Sequence, residues 1–425
     1  MRILDYKNLG LKGVMNLVEG ARSRPVDVAD RVREIIERVK REGDKALFEF
    51  AQQFDRVDLK TLEVSKSEIL EAKKKVSKAD VVAIKFALKN VEKFHKDCLV
   101  KKQPVTETVA GVKVWREFRP IQKVGLYIPG GLAAYPSTVL MLAGPAGLAG
   151  CEEIVMCTPC DSAGVCNPYV LVAADLCGVK KIFKVGGAQA IAAMAFGTES
   201  IPRVYKIFGP GNQYVSTAKA LLQSEVAIDM PAGPSELLVV ADDSANVDWI
   251  AADMLSQLEH GADSQSILVA FSEKFAGKVM GKMLEQSMKL NRKGLIDQSF
   301  EKSYVVVVET VAQAISLIDA YAPEHLEIVT KDPAKILKKV GNFGSAFLGK
   351  YSCESLGDYA TGSNHTLPTS GYAKMFPPLA IESFGKMVQI QTVSKSGFDR
   401  LAKAVCRLAD MEKLDAHKNS VTIRQ

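Results

Sequence analysis

The run Val124-Gly125-Leu126-Tyr127-Ile128-Pro129-Gly130-Gly131 decides the fold: an apolar stretch of strand length stops at a proline and two glycines. The pattern returns at residues 153–156, which stop at Thr158-Pro159, at 181–185, which stop at Gly186-Gly187, and at 205–208, which stop at Gly209-Pro210-Gly211-Asn212. Helical segments follow at 188–196 and 214–222, so residues 121–240 read as parallel βαβ units. Glycines at such turns let a ligand approach the backbone, and the helix N-termini behind them offer amide donors to phosphate or carboxylate. Ligands of an open α/β sheet sit at these carboxyl ends, which makes Tyr127, Gln189 and Asn212, one beside each turn, candidates for a dinucleotide site. The GxGxxG fingerprint is absent, so no acidic residue can be assigned to a ribose by that rule.

Before this region the chain reads as helical. Residues 1–24 suit a short helix or arm (Leu9, Leu11, Val14, Leu17, Val18). Pro25 opens residues 26–54, where Val28, Val32, Ile35, Ile36, Val39, Ala46, Leu47 and Phe50 recur at helical spacing, with a break at Gly43. A further helix is expected over 65–96, with Ser65 and Glu68 at capping-box spacing; its His95 reads as a solvated or half-buried surface residue. Alternation around Ala110-Gly111 suggests a strand pair over 109–118. Beyond 226–230, Pro231-Ala232-Gly233-Pro234-Ser235 reads as a hinge between lobes, followed by strands at 237–240, 267–271 and 304–308 and a helix over 311–321.

The chain has 425 residues, 47% of them hydrophobic, enough to bury more than one core. No apolar run approaches the roughly 20 residues of a membrane span, and the first residues lack the apolar core of a signal peptide, so a cytoplasmic protein without a membrane partner is expected. The net charge of +6 is spread over 55 basic and 49 acidic residues with no sustained basic block, which argues against nucleic acid. Eight cysteines include Cys157-Thr158-Pro159-Cys160, but a zinc ribbon needs a second such pair. They are expected to be reduced and structural.

The polar chemistry gathers later in the chain. Asn246 caps a helix expected to run to His260 and to end at a left-handed Gly261, which places Gln257 and His260, at i and i+3, on one face. A borderline cation such as zinc accepts an amide oxygen with an imidazole, while the plainer reading is a solvated helix end. Glu324-His325 can act from a turn, the imidazole on a hydroxyl proton and the carboxylate on water; otherwise Glu324 caps or pairs with a neighbour. Residues 357–368 form a glycine-punctuated polar loop with Asp358 and His365, and Glu412 and His417 lie near the end of the chain. Four of the five histidines thus stand beside Glu, Asn or Lys in turns or helix ends.

These segments together resemble the histidinol dehydrogenase family. The matching stretches are VGLYIPGG, VGGAQAIAAMAFGTESIP, KIFGPGN, DMPAGPSE, SQLEHGADSQ, APEHL, GDYATGSNH with LPT, and AHKNSVTIR, in order over roughly residues 20 to 425. The resemblance implies oxidation of L-histidinol through histidinaldehyde to L-histidine with two NAD+ and one zinc ion per subunit. It implies zinc ligands Gln257, His260, Asp358 and His417, which with Ser235, His325, His365 and Glu412 also hold substrate. His325 would take the alcohol proton, Glu324 would activate water, and Tyr127, Gln189 and Asn212 would contact NAD. It further implies an α/β fold of two Rossmann-like lobes, aldehyde-dehydrogenase-like in architecture, with small helical N- and C-terminal appendages. The expected division is a 1–24 arm, a first lobe of 25–108 with 236–380 carrying the metal and catalytic residues, a second, NAD-binding lobe of 109–235, and a dimerisation segment of 381–425. In the homodimer Glu412 and His417 would complete the neighbour's site.

Two places depart from the family's pattern. Lys374-Met375-Phe376-Pro377-Pro378-Leu379 is bulkier than usual, with Gly385-Lys386-Met387 beyond it, and Cys160 stands where proline is usual. Bulk beside the site leaves open an NAD-dependent dehydrogenase of another amino alcohol or primary alcohol. Glu412 favours a cationic substrate over a sulfonate or sugar alcohol. A zinc hydrolase using Glu324 without NAD is the reading from another class.

Overall fold

The computed structural model describes residues 1–22, 28–99, 102–130, 135–231 and 233–425, so Pro25, Gly131 and Ala232, used above, lie outside the described residues. In chain order its strands are β1 (Arg2–Asp5), β2 (Thr106–Val109), β3 (Val112–Pro120), β4 (Lys123–Tyr127), β5 (Glu153–Thr158), β6 (Lys181–Lys184), β7 (Lys206–Phe208), β8 (Ala227–Ile228), β9 (Glu236–Ala241), β10 (Gln265–Ala270), β11 (Tyr304–Val307), β12 (His325–Val329), β13 (Ser345–Leu348) and β14 (Gly385–Val393). Two parallel sheets, ordered β6-β5-β4-β7-β8 and β1-β11-β10-β9-β12-β13, are joined by an antiparallel sheet, β14-β3-β2.

Both parallel sheets are wound the same way. From β4 the chain steps outward to β5 and β6, then returns across β4 to β7 and β8; from β9 it repeats this order, with β1 added outside β11. That is the order of a Rossmann-type sheet, with a switch point between β4 and β7 in one lobe and between β9 and β12 in the other. The central strands β9 and β10 are buried along their whole length, as strands covered by helices on both faces must be. No helix among the described residues is long and apolar enough to cross a membrane.

The two lobes are divided differently from the sequence-based expectation. Residues 1–24 are more than a helical arm, since β1 is an edge strand of the larger sheet and the helix Tyr6–Ala21 packs on Val311–Tyr321. Residues 25–108 were expected to join 236–380, but the helices described between 29 and 98 cover the smaller sheet. Val32, Ile35, Ile36 and Val39 of the helix Ala29–Glu42 pack with Val155, Ile191 and Ala192, and Ile84 and Leu88 of Lys78–Cys98 pack with Leu126, Leu140 and Val170. Helical spacing identifies an apolar face but not the sheet that covers it.

Several local expectations also change. The helix expected over 65–96 is two helices, Lys66–Lys75 and Lys78–Cys98, because Ser77 starts a second one by accepting from the Asp80 amide; the Ser65/Glu68 capping box is present. The helix from Asn246 ends at Leu258, and Gly261 has no positive φ. Side chains meet the carbonyls at its end instead: Ser299 Oγ donates to Leu258 O at 3.4 Å and Arg292 donates to Glu259 O at 3.2 Å.

His95 was expected at the surface but is completely buried, and neither ring nitrogen has a hydrogen-bond partner among the described residues. Burial holds its pKa down to about 4, against 6.5 for the free side chain. Between those values the unfolded chain binds a proton that the folded chain refuses, so stability falls as pH drops from about 6.5 towards 4, by up to about 3 kcal/mol. His95→Leu should therefore lose less melting temperature than the wild type between pH 7 and about 4.5. Parallel curves in thermal scans would remove His95 as a source of acid sensitivity.

Candidate active site

The polar residues singled out late in the chain converge at the amino ends of β9 and β12, which are neighbours in the larger sheet. His325 is the first residue of β12 rather than part of a turn, and it is buried. Its Nδ1 donates to the carbonyl of Glu236, first residue of β9, at 3.1 Å, so Nε2 is the free nitrogen. Nε2 has no hydrogen-bond partner and lies 3.6 Å from Asp358 Oδ1. Burial opposes charge on this imidazole, but Glu354, Glu324 and Asp358 hold its pKa well above the ordinary histidine value. The free nitrogen is a base in a setting that favours its protonation.

Glu324 precedes it, buried, with Oε2 accepting from the Glu236 amide at 2.8 Å and lying 3.7 Å from His325 Nδ1. Burial pushes its carboxyl up to about 8, against the opposing charge of His325. Glu236 is fastened from the far side. Arg22 Nε meets Glu236 Oε1 at 2.9 Å, a second nitrogen donates to Tyr321 O at 3.0 Å, and the guanidinium stacks 3.9 Å over the Tyr321 ring.

The metal candidates come to the same place from three segments. His260, just past the end of Val247–Leu258, donates from Nδ1 to Ser256 O at 3.1 Å, leaving Nε2 free 4.0 Å from Asp358 Oδ2. Asp358 lies on the short helix Glu354–Tyr359 rather than in the loop expected there. Burial works against its charge, yet the facing imidazole of His325 holds its pKa below the usual aspartate value. Gln257 is fully buried, and its amide is satisfied when the nitrogen donates to Glu354 Oε1 at 2.8 Å. That turn leaves the Gln257 oxygen free for a ligand.

Glu354 escaped the sequence reading. It is almost wholly buried, its carboxyl is raised by burial to about 8, and it can reach a cation itself, because its donor atom and those of His260 and Asp358 lie within 4.8 Å of one another. Its own amide is held by Glu327 Oε1 at 2.7 Å. The available signal was slight: a Glu one helical turn before Asp358.

The remaining residues divide. His365 bridges the lobes, with Nδ1 on Asp358 O at 3.0 Å and Nε2 3.2 Å from Thr138 Oγ1 on the helix Pro136–Ala149. Next to it, Asn364 donates at 2.7 Å to Met141 O, the carbonyl that Pro145 leaves without its helical partner. Ser235 is half-buried immediately before β9. Glu412, just past the end of Lys395–Met411, and His417, on the helix Asp415–Thr422 paired with it, stand apart and exposed, and neither side chain has a polar contact with the site among the described residues. One chain therefore does not bring all four expected ligands together.

Tyr127, Gln189 and Asn212 instead line a cleft of about 940 Å³ at the carboxyl ends of the smaller sheet. The Tyr127 hydroxyl accepts from the Gly187 amide at 3.1 Å, and burial raises its pKa to about 12. Asn212 caps the helix Gln213–Leu221. Two of the turn glycines answer to a packing demand: a Cβ on Gly130 or Gly186 would meet Pro159 at 2.3 or 2.8 Å. Arg31 and Asp55, which no motif announced, also line the cleft. The bulky loop turns away from the site, since Phe376 and Leu379 pack into the core of the smaller lobe and Met375 is exposed.

Fold and site together define a two-lobed α/β enzyme with a buried Glu–His pair beside a metal-competent pocket in one lobe and an open cleft in the other. Residues 19–425 match the family model described as histidinol dehydrogenase, and the chain belongs to that family of oxidoreductases. A histidinol dehydrogenase of Bacteroides fragilis (strain YCH46) is 50% identical over 406 residues, covering 94% of this chain and 95% of that protein. One of Campylobacter jejuni (strain RM1221) is 47% identical over 432 residues, covering 100% and 99%. The crystal structure of histidinol dehydrogenase from Elizabethkingia anophelis matches with a TM-score of 0.95 at 44% identity, covering 100% and 98% of the two chains. Family membership sets aside the zinc-hydrolase alternative.

Gly344 offers a test of the architecture behind the base pair. A Cβ there would meet the Glu324 carbonyl at 2.5 Å, while the Gly344 amide donates to Pro323 O at 2.9 Å. Gly344→Ala should displace Glu324 and His325 and lower turnover by at least about tenfold in a protein that still folds. Unchanged turnover would show that this backbone position does not set the site.

Proposed function

We propose that this chain oxidises L-histidinol to L-histidine through histidinaldehyde, reducing two NAD+. The observation that carries the reading is the buried Nε2 of His325, without a hydrogen-bond partner and 3.6 Å from the Asp358 carboxylate, which itself lies 4.0 Å from His260 Nε2, with Glu324 within reach of the same imidazole. His325 Nε2 takes the alcohol proton as the carbinol hydride leaves for the first NAD+. Glu324 then takes a proton from the water that adds to the aldehyde, whose oxygen takes the proton held by His325, and His325 removes a hydroxyl proton of the resulting diol as a second hydride leaves its carbon for the second NAD+. Ser235 and His365 hold the substrate near this centre. Tyr127, Gln189 and Asn212 contact NAD in the cleft of the smaller lobe.

The donor set suits a zinc ion: two imidazole and carboxylate groups with free lone pairs, and an amide oxygen whose nitrogen is committed elsewhere. Gln257, His260 and Asp358 would hold it, with His417 supplied by a second subunit; bound there, zinc supplies a Lewis-acidic anchor for the imidazole and amine of the substrate. The homodimer is supported by the helix Lys395–Met411, which leaves Val405, Leu408 and Met411 exposed along one side. In that assembly 381–425 is the dimerisation segment, and Glu412 meets the cationic end of the neighbour's substrate. The outward packing of Phe376 and Leu379 favours histidinol over an altered alcohol.

Purified protein given L-histidinol and excess NAD+ should form two NADH per histidinol. One would limit the enzyme to the aldehyde, and none would overturn the reading. A water-activating base must be ionised, so the aldehyde-oxidising half-reaction should rise with pH and level off above about 8. Glu324→Gln should remove that limb and spare the first hydride transfer in single-turnover measurements. The same limb in the variant would assign it to another group.

Metal content separates ligand from support. His260→Ala should come out of dialysis without zinc, whereas Glu354→Ala, which frees the Gln257 amide, should weaken zinc binding by about 10- to 100-fold. Complete loss in Glu354→Ala would make Glu354 itself a ligand.

A further inference from the structure

The spacing Cys157-Thr158-Pro159-Cys160 invites pairing within the motif, but the fold separates its two thiols. Cys157 sits in β5, fully buried in the core, while Cys160 emerges beyond the strand end and lines the cleft of the smaller lobe. The residue across from Cys160 is Cys166, its partner in an isolated antiparallel bridge. The Asp161 amide donates to the Val165 carbonyl at 3.0 Å, which makes Cys160 and Cys166 the flanking non-hydrogen-bonded pair. In such a pair the Cα atoms are about 4.5 Å apart and the side chains share a face, within the span that a disulfide bridges. Both cysteines line the same cleft, and both are free thiols.

The turn between them is held in shape independently. Asp161 Oδ1 accepts from the amides of Ala163 and Val165, each at 2.9 Å, and Gly164 takes a φ of +76°. The chain is thus held in register for a cross-strand bond before any bond is made.

We propose that Cys160 and Cys166 form a dithiol modification site on the wall of the cleft, one that closes to an intramolecular disulfide on meeting a small organic disulfide. The half-buried Cys160 thiolate attacks one sulfur of the reagent, forming a mixed disulfide and expelling the first thiolate, which takes up a proton. Cys166, having lost its proton to solvent, attacks the Cys160 sulfur and expels the second thiolate. The protein gives up two protons and two electrons, and the reagent leaves as two thiols. Burial raises Cys160 to about 11 and Cys166 to about 12, so closure is slow near neutrality and accelerates with pH. The proposal does not depend on what the cleft binds.

The test is incubation of the full-length protein with oxidised glutathione at pH 8 to 9, read by intact mass and by titration of free thiols. Wild type and Cys157→Ser should each lose two hydrogens, about 2 Da, and two titratable thiols, reversibly with dithiothreitol. Cys160→Ser and Cys166→Ser should show no such loss. Failure of the wild type to lose the hydrogens would overturn the proposal, as would their loss in Cys160→Ser or their retention in Cys157→Ser.

Discussion

Burying the carboxylates of Glu324, Glu354 and Asp358 around one imidazole is the constraint on which this structure turns. Carboxylates out of water resist ionisation unless positive charge or donors meet them, and here burial raises Glu324 and Glu354 to about 8. The same crowding raises the proton affinity of His325, so each group's charge depends on the others. A cation among them would relieve that strain, which is why the pocket suits a metal as well as proton transfer. Arg22 acts one layer further back, on Glu236, whose amide and carbonyl hold Glu324 and His325.

The two lobes have the same winding and offer opposite ends. The smaller sheet presents the carboxyl ends of its strands, where Tyr127, Gln189 and Asn212 surround the cleft, as the general rule for open sheets anticipates. The larger sheet carries Glu236, Glu324 and His325 at the amino ends of β9 and β12. The loop holding Asn364 and His365 ties these regions together, through Met141 and Thr138 of a helix in the smaller lobe. Asn364 thereby satisfies the carbonyl that Pro145 frees, so a helix irregularity in one lobe becomes an anchor for the other.

The C-terminal helices cover little of their apolar surface within one chain. Lys395–Met411 buries only Gly397, Ala402 and Ala409, and Glu412 and His417 follow its exposed end. An amphipathic helix with so little covered in its own subunit is a surface suited to a partner. Conversely, the loop whose bulk pointed to altered specificity places Phe376 and Leu379 in the core, where size answers to packing.

Much of the fold was legible because it rests on short-range patterns. Apolar runs stopping at glycine or proline mark β4 to β7, and the Ser65/Glu68 box and the Asn246 cap mark helix starts through bonds made within a few residues. Gln257 and His260 could be placed near one another by helix periodicity alone, although the helix ends earlier than Gly261 suggested. What the tertiary structure alone decided involves residues distant in sequence: residues 29–98 cover the smaller sheet, His95 is sealed in the interior, Cys160 faces Cys166 instead of Cys157, and Glu354 turns the amide of Gln257. The physical reason is common to all four. Periodicity and capping specify a segment's own hydrogen bonds and its apolar face, whereas the partner that meets that face, and the proton affinity of whatever is trapped between them, are set only when segments pack.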